Sequence, residues 1–161
     1  MTKAKDIITV RKFYEHAINR GYMTGVARDK SRVKAPGEVF TPDGLVREIL
    51  DKLHEAGDGA FTSLNKTFCD PSCGDGQFLV HVMLYKLTKG DLGKLKDDSF
   101  MDRDVTTEYI MHLKTIYGVD LMMDNIKLVR ERLGMGFKVL KKTLMNNFRC
   151  ENSLTYDFSF K

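Results

Sequence analysis

Long apolar segments and paired cysteines are both missing from this chain of 161 residues. No apolar run approaches the ~18 residues that a membrane span requires, and the first residues contain no hydrophobic segment typical of a secretory signal. These absences predict a cytoplasmic protein without a membrane partner. Cys69, Cys73 and Cys150 form an odd set without paired spacing, which predicts reduced thiols. Because Cys69 and Cys73 lack a second pair of ligands, no zinc or other metal site is predicted.

The positive charge of the chain is concentrated at its start. The net charge is +4, yet residues 1–36 alone carry nine Lys and Arg against three acidic residues. A basic segment of this kind is compatible with contact to the phosphates of DNA, although a solvated helix and linker would have the same composition. We therefore divide the chain into a basic N-terminal helix and linker, residues 1–36, and a folded domain, residues 37–161.

Hydrophobic periodicity predicts an α/β protein in which helices and strands alternate. The predicted strands cover residues 66–70, 116–120 and 145–150. The predicted helices cover residues 4–20, about 43–56, 77–87, 106–114 and 125–133. Thr41 is expected to cap the second helix, whose buried stripe would be Leu45, Val46, Ile49, Leu50 and Leu53. Residues 89–104 are polar and predict a surface insertion, and the βαβαβ order predicts a parallel sheet.

The most informative segment, residues 68–80, predicts a strand end, a tight turn and the start of a helix. Gly74 and Gly76 carry no Cβ atom, so the backbone of the turn can approach a ligand closely. The N–H groups at the head of the next helix would point toward that ligand. A lone Gly-x-Gly is weak evidence of binding, and a purely structural turn would show the same pattern.

With Asp70-Pro71-Ser72-Cys73 before the glycines and Phe78-Leu79 after them, this segment resembles the S-adenosylmethionine (SAM) motif of adenine-N6 DNA methyltransferases, particularly of the type I and type IIG modification kind. The resemblance implies a methyltransferase-like Rossmann fold and SAM as the cofactor. It implies that Asp70 binds the amino group of the methionine moiety and that Phe78 supports the turn. The backbone lining the cofactor would come from Ser72, Cys73, Gly74 and Gly76.

Asp120 ends the second predicted strand, where an acidic residue of an α/β nucleotide site accepts hydrogen bonds from ribose hydroxyls. Leu121 would cover one face of the adenine. The 44 residues between Gly76 and Asp120 exceed the ~20 of a compact dinucleotide fold, and an insertion at residues 88–112 accounts for the surplus. The alternative is that Asp120 only caps the helix that follows.

Two further segments extend the resemblance. Residues 148–154 resemble the family segment ending in Gly-Asp/Asn-Ser-Leu, although Glu151 stands in place of the glycine; Asn152 would bind the adenine amino group and a ring nitrogen. Residues 37–42 resemble the N-terminal SAM motif, in which Thr41 reaches the cofactor carboxylate and Phe40 packs on the pocket. The alternative interpretations are that Asn152 is an ordinary loop residue and that Thr41 only caps a helix. The four histidines lack partner spacing and are expected at the surface or on helix faces.

The Asn/Asp-Pro-Pro-aromatic tetrapeptide that carries catalysis in the family is absent, since no proline follows Pro71. No catalytic residue is therefore assigned, and we expect a SAM-binding domain that is inactive alone. By resemblance the complete sheet has seven strands, of which this chain supplies about three. The first strand would then expose an edge that invites a protein partner or a second copy. The alternatives are a non-catalytic methyltransferase-derived protein that binds protein or DNA and, less favoured, a small-molecule enzyme of another class that uses SAM.

Overall fold

The computed structural model describes residues 7–19 and 41–160, which form one α/β unit. The helices in chain order are α1 (Val10–Phe13, continued by a π-turn, Tyr14–Ile18), α2 (Asp43–Glu55), α3 (Gln77–Thr88), α4 (Asp98–Asp102), α5 (Thr106–Leu113), α6 (Met123–Gly134) and α7 (Lys141–Asn147). Short 3-10 turns cover Leu92–Lys96 and Lys138–Leu140. The strands are β1 (Phe68–Asp70), β2 (Ile116–Asp120) and β3 (Phe148–Cys150).

The three strands form a parallel sheet in the order β1-β2-β3, with β2 at the centre. Phe68 lies opposite Ile116, and Gly118 lies opposite Phe148. The predicted α/β class and parallel sheet are confirmed, and the arrangement is compatible with a Rossmann-like fold. Within residues 7–19 and 41–160, no strand pairs with the outer edge of β1.

The third strand is shorter than predicted because a helix takes its first half. Residues 145–147, predicted as strand, belong to α7. The buried amide of Asn147 donates to the carbonyl oxygens of Leu113 and Ile116, both at 3.0 Å, and Leu144 packs in the core. These contacts hold residues 144–147 in a helical conformation. The strand therefore begins only at Phe148. β1 likewise begins at Phe68 and not at residue 66.

Helix α3 is the centre of the core. Every residue from Leu79 to Thr88 is buried, so the helix is covered on all sides. The sheet packs closely on it: a Cβ atom added at Gly118 would lie 2.8 Å from Leu79 and 3.1 Å from Phe148. Gly118 therefore permits the contact between β2 and α3, which places the end of β1 beside the start of α3.

The described part of the N-terminal segment belongs to this core, although the sequence analysis separated residues 1–36 from the folded domain. Ile8, Val10, Phe13 and Ala17 are all fully buried. The backbone N–H of Val105 donates to the carbonyl of Ile8 at 2.8 Å, and Arg11 pairs with Asp98 and Asp102 at 2.7 and 2.6 Å. Residues 98–105 thus hold the N-terminal segment and are more than a surface insertion. The linker predicted at residues 21–37 lies outside the described residues.

Helix α2 departs from its prediction at its cap and along one face. It begins at Asp43, with Pro42 at the cap position and no side-chain cap, so the prediction of Thr41 as the cap is wrong. Val46 and Leu50 are buried as predicted, whereas Leu45 and Ile49 are 46% and 43% exposed. The reason is that the described residues cover only the side of α2 that faces α3.

No helix among the described residues is both long and apolar enough to cross a membrane.

Candidate functional site

The turn between β1 and α3 depends on its two glycines. Gly74 has φ +54° and Gly76 has φ +88°, both in the left-handed region that L side chains rarely adopt. A Cβ atom at Gly76 would lie 2.3 Å from Cγ2 of Val129 on α6. The backbone N–H of Cys73 donates to the carbonyl of Val119 at 2.9 Å, which fastens the turn to β2. Conformation and packing therefore both require glycine at residue 76.

The head of α3 presents polar groups that the helix does not use. The first N–H groups of a helix have no intrahelical acceptor, and no side chain caps Gly76. These N–H groups lie beside the glycine turn and, together with the helix dipole, favour a negatively charged group there. The backbone around the turn is thus suited to the carboxylate of a ligand.

Asp120 joins the glycine turn to the loop that follows β2. Its Oδ2 accepts from the Gly74 N–H at 3.0 Å, and its Oδ1 accepts from the Met122 N–H at 2.8 Å and from the Asn125 amide at 3.1 Å. The contacts to Met122 and Asn125 are those of a residue that holds the start of α6, which was the alternative interpretation. A carboxylate has about four acceptor sites, so little capacity remains for a ribose unless a ligand replaces one of these bonds.

Asp70 and Asp120 bring two carboxylates to the same edge of the sheet. Oδ1 of Asp70 accepts from the Ser72 N–H at 3.0 Å. Burial, and to a lesser degree the negative charge of Asp120, raises the pKa of Asp70, although the Ser72 hydrogen bond opposes this. An ammonium group bound here would relieve both effects. Burial also raises the pKa of the Cys73 thiol, which therefore stays protonated and is unsuited to act as a nucleophile or metal ligand.

The tip of β3 reaches the same edge. The Glu151 N–H donates to the Asp120 carbonyl at 3.0 Å, which places Asn152 close to Asp120 in space. The Asn152 side chain is exposed, and its Oδ1 accepts from the Leu154 N–H at 3.1 Å. Leu121 is 61% exposed beside Asp120. Both predicted adenine contacts are therefore accessible, and Oδ1 of Asn152 can accept a second hydrogen bond besides the one from Leu154.

The remaining predicted residues surround the head of α3. Phe78 is half-buried and packs against the core, as a residue supporting the turn would. The amide of Gln77 donates to Oδ1 of Asp43 at 3.2 Å, so the start of α2 lies against the start of α3. Thr41, half-buried, is only two residues before Asp43. Phe40 lies outside the described residues.

A buried ion pair beneath the turn was not predicted from the sequence. Asp75, between the two glycines, pairs with Arg132 of α6 at 3.3 Å, and both side chains are only 2% exposed. Arg132 also donates to Oε1 of Gln77 and to the carbonyl of Ala17, each at 2.8 Å. One guanidinium thus connects the glycine turn, α3 and the N-terminal segment. The only sequence signal was an acidic residue inside a turn otherwise made of small residues.

Two histidines expected at the surface or on a helix face are in fact buried. His81 of α3 is fully buried, with Nδ1 2.9 Å from the Gln77 carbonyl and Nε2 2.7 Å from Oδ1 of Asp43. His112 of α5 is 3% exposed and lies 3.5 Å from Glu108. His81 thus connects α3 to α2, whereas His112 and Glu108 both belong to α5. No group of three or more His, Cys, Asp or Glu suited to a metal ion occurs in residues 7–19 and 41–160.

Comparison with protein families and with curated proteins found no match. No protein-family model matches the chain, and no curated protein matches it significantly.

Proposed function

We propose that this chain is a SAM-binding domain related to the adenine-N6 DNA methyltransferases of the type I and type IIG modification kind. The observation that carries the proposal is the 3.0 Å hydrogen bond from the Gly74 N–H to Asp120. It joins two segments that each resemble a SAM motif, 46 residues apart in the chain, at the carboxyl ends of adjacent parallel strands. Ligands of open α/β sheets bind at this edge.

The donor set of this edge fits the parts of SAM. Asp70, supported by the nearby charge of Asp120, would receive the ammonium group, and the uncapped head of α3 would receive the carboxylate. The exposed side chain of Leu121 would lie against the adenine, with Asn152 at its edge. When bound, SAM supplies an activated methyl group; this chain's residues would hold and orient the molecule.

Transfer of the methyl group by this chain alone is not part of the proposal. The chain contains no Asn/Asp-Pro-Pro-aromatic tetrapeptide to hold a target adenine beside the cofactor. We therefore expect cofactor binding without methylation unless another polypeptide supplies the missing groups.

Isothermal titration with SAM and with its demethylated product tests the proposal. We expect a dissociation constant of about 100 µM or tighter for the purified chain. Asp120→Ala should weaken binding at least about tenfold. The substitution removes a charged acceptor for the ligand and also the hydrogen bond that positions the Gly74 N–H. Asp91→Asn is the matched control, because Asp91 is exposed, holds only its own turn and lies outside the site.

Near-ultraviolet circular dichroism of each variant separates lost binding from lost folding. A folded wild-type chain that binds neither SAM nor its product would refute the cofactor assignment.

The second candidate function is that of a non-catalytic protein that engages a partner protein or DNA. The outer edge of β1 favours it: no described strand pairs there, and Cys69 on this strand is exposed. This function predicts an oligomer or complex that Asp120→Ala leaves unchanged, and light scattering after size exclusion would detect it. A DNA role for the basic N-terminal segment has less support, because Arg11 is already paired with Asp98 and Asp102.

A further inference from the structure

An apolar groove opens on the surface of the molecule, and none of the predicted cofactor contacts lines it. It is formed by the end of α6, the loop after it and the start of α7, and its volume is about 340 Å³. In a parallel α/β sheet the helices run back against the strands, so the end of α6 is at the amino edge of the sheet. Arg130, in the groove wall, donates to the carbonyl of Phe148 at the start of β3, which fixes this position. We call this surface the α6–α7 groove.

The floor of the α6–α7 groove is apolar and open to solvent. Gly134, Phe137, Leu144 and Met145 line it. Met145 is 47% exposed, and Val139 on the adjoining 3-10 turn is 62% exposed. An exposed apolar surface of this kind gains free energy when an apolar partner side chain covers it.

The charged side chains of the groove are mainly basic. Three cationic residues line it against a single acidic residue, Glu131. Arg130, Lys138 and Lys141 lie on the groove itself. Lys138, Lys141 and Lys142 form no ion pair with any residue that the structure describes. The buried Nε of Arg130 also has no hydrogen-bond acceptor.

We propose that the α6–α7 groove binds an acidic amphipathic helix of another protein. Such a helix places apolar side chains at positions i, i+3, i+4 and i+7, which suit the apolar floor, and flanking carboxylates, which suit the basic rim. A nucleic-acid backbone would use the lysines but has no group for Phe137, Leu144 and Met145. The proposal does not rest on SAM binding, since no residue that lines the groove is among the predicted cofactor contacts.

Fluorescence anisotropy with three labelled probes tests this inference. The first is a peptide of about 18 residues with Leu on one helical face and Glu on its flanks. The second replaces each Glu with Lys, and the third is a DNA duplex. We expect binding of the Glu peptide only, weakened by salt because the rim contacts are ionic.

Variants of the full chain locate the binding. Lys138→Glu with Lys141→Glu should weaken the Glu peptide at least about tenfold, and Met145→Glu should do so without changing the number of lysines. Lys96→Glu with Lys114→Glu is the matched control, since both lysines are exposed and outside the groove. Equal binding of the Glu and Lys peptides, preference for DNA, absence of binding, or indifference to the groove variants would each overturn the proposal.

Discussion

Lys86 illustrates at the scale of one residue how burial changes the behaviour of a charged group. Its side chain is fully buried in α3, its Nζ donates to the Lys66 carbonyl at 3.0 Å, and it lies 5.1 Å from the centre of the Phe68 ring. Burial lowers the pKa of Lys86 from 10.5 to about 8. Between these two values the unfolded chain binds the proton and the folded chain does not, so stability rises with pH across this range.

We predict that Lys86→Met removes this pH dependence. Relative to the variant, the wild-type free energy of unfolding should rise by roughly 2 kcal/mol between about pH 7 and pH 10, because one pKa unit corresponds to about 1.4 kcal/mol. Urea unfolding of both proteins at the two pH values measures the difference. Lys114→Met, which removes an exposed lysine, should keep the wild-type dependence. The prediction would be contradicted if the free energy of unfolding changed with pH equally in wild type and Lys86→Met.

At the scale of one element, the start of α3 depends on the close approach of α6. Gly76→Ala should destabilise the protein by about 3 kcal/mol or more, since it combines a left-handed φ with a contact of 2.3 Å to Val129. Urea unfolding measures the loss.

Substitutions of two other glycines separate the cost of the left-handed φ from the cost of the contact with Val129. Gly136 has φ +77° but nothing within 4 Å of an added Cβ, so Gly136→Ala should cost only about 1–2 kcal/mol. Gly44 has an ordinary φ and open space in α2, so Gly44→Ala should stabilise by up to about 1 kcal/mol. A Gly76→Ala cost no larger than that of Gly136→Ala would show that contact with Val129 contributes nothing.

At the scale of the whole molecule, the Asp75–Arg132 pair connects parts of the fold that are distant in the chain. Arg132→Met should destabilise by about 3–5 kcal/mol, because it leaves the Asp75 carboxylate buried without its cation. The double variant Asp75→Asn with Arg132→Met should lose less stability than the sum of the losses of the two single variants. The reason is that neither buried charge then remains. A double-mutant cycle by urea unfolding measures this coupling, and additive losses would contradict a direct interaction.

The elements predicted correctly are those whose signal is local. The helix predicted at residues 77–87 is observed at Gln77–Thr88, and the one predicted at residues 125–133 lies within Met123–Gly134. The turn at Gly74 and Gly76 was also foreseen, because glycine is the residue that adopts a positive φ without strain. Each of these features rests on neighbouring residues alone, so the sequence was enough.

The errors occur where distant contacts override the local pattern. Leu45 and Ile49 have helical periodicity, yet no described element covers their face of α2. His81 and Arg132 are polar, yet Asp43 and Asp75, each more than 35 residues away in the chain, allow their burial. Neither partner could be identified from spacing, because each contact exists only once the helices have packed.

Local patterns along the chain were enough to predict the α/β class, the glycine turn and the order of the segments that resemble SAM motifs. Folding was needed to bring Gly74 and Asp120 together, to place residues 8–17 in the core, and to gather Arg130, Lys138 and Lys141 around an apolar groove. The physical reason is that periodicity and turn conformation act over a few residues. Burial, charge pairing and surface shape are properties of residues brought together from distant parts of the chain.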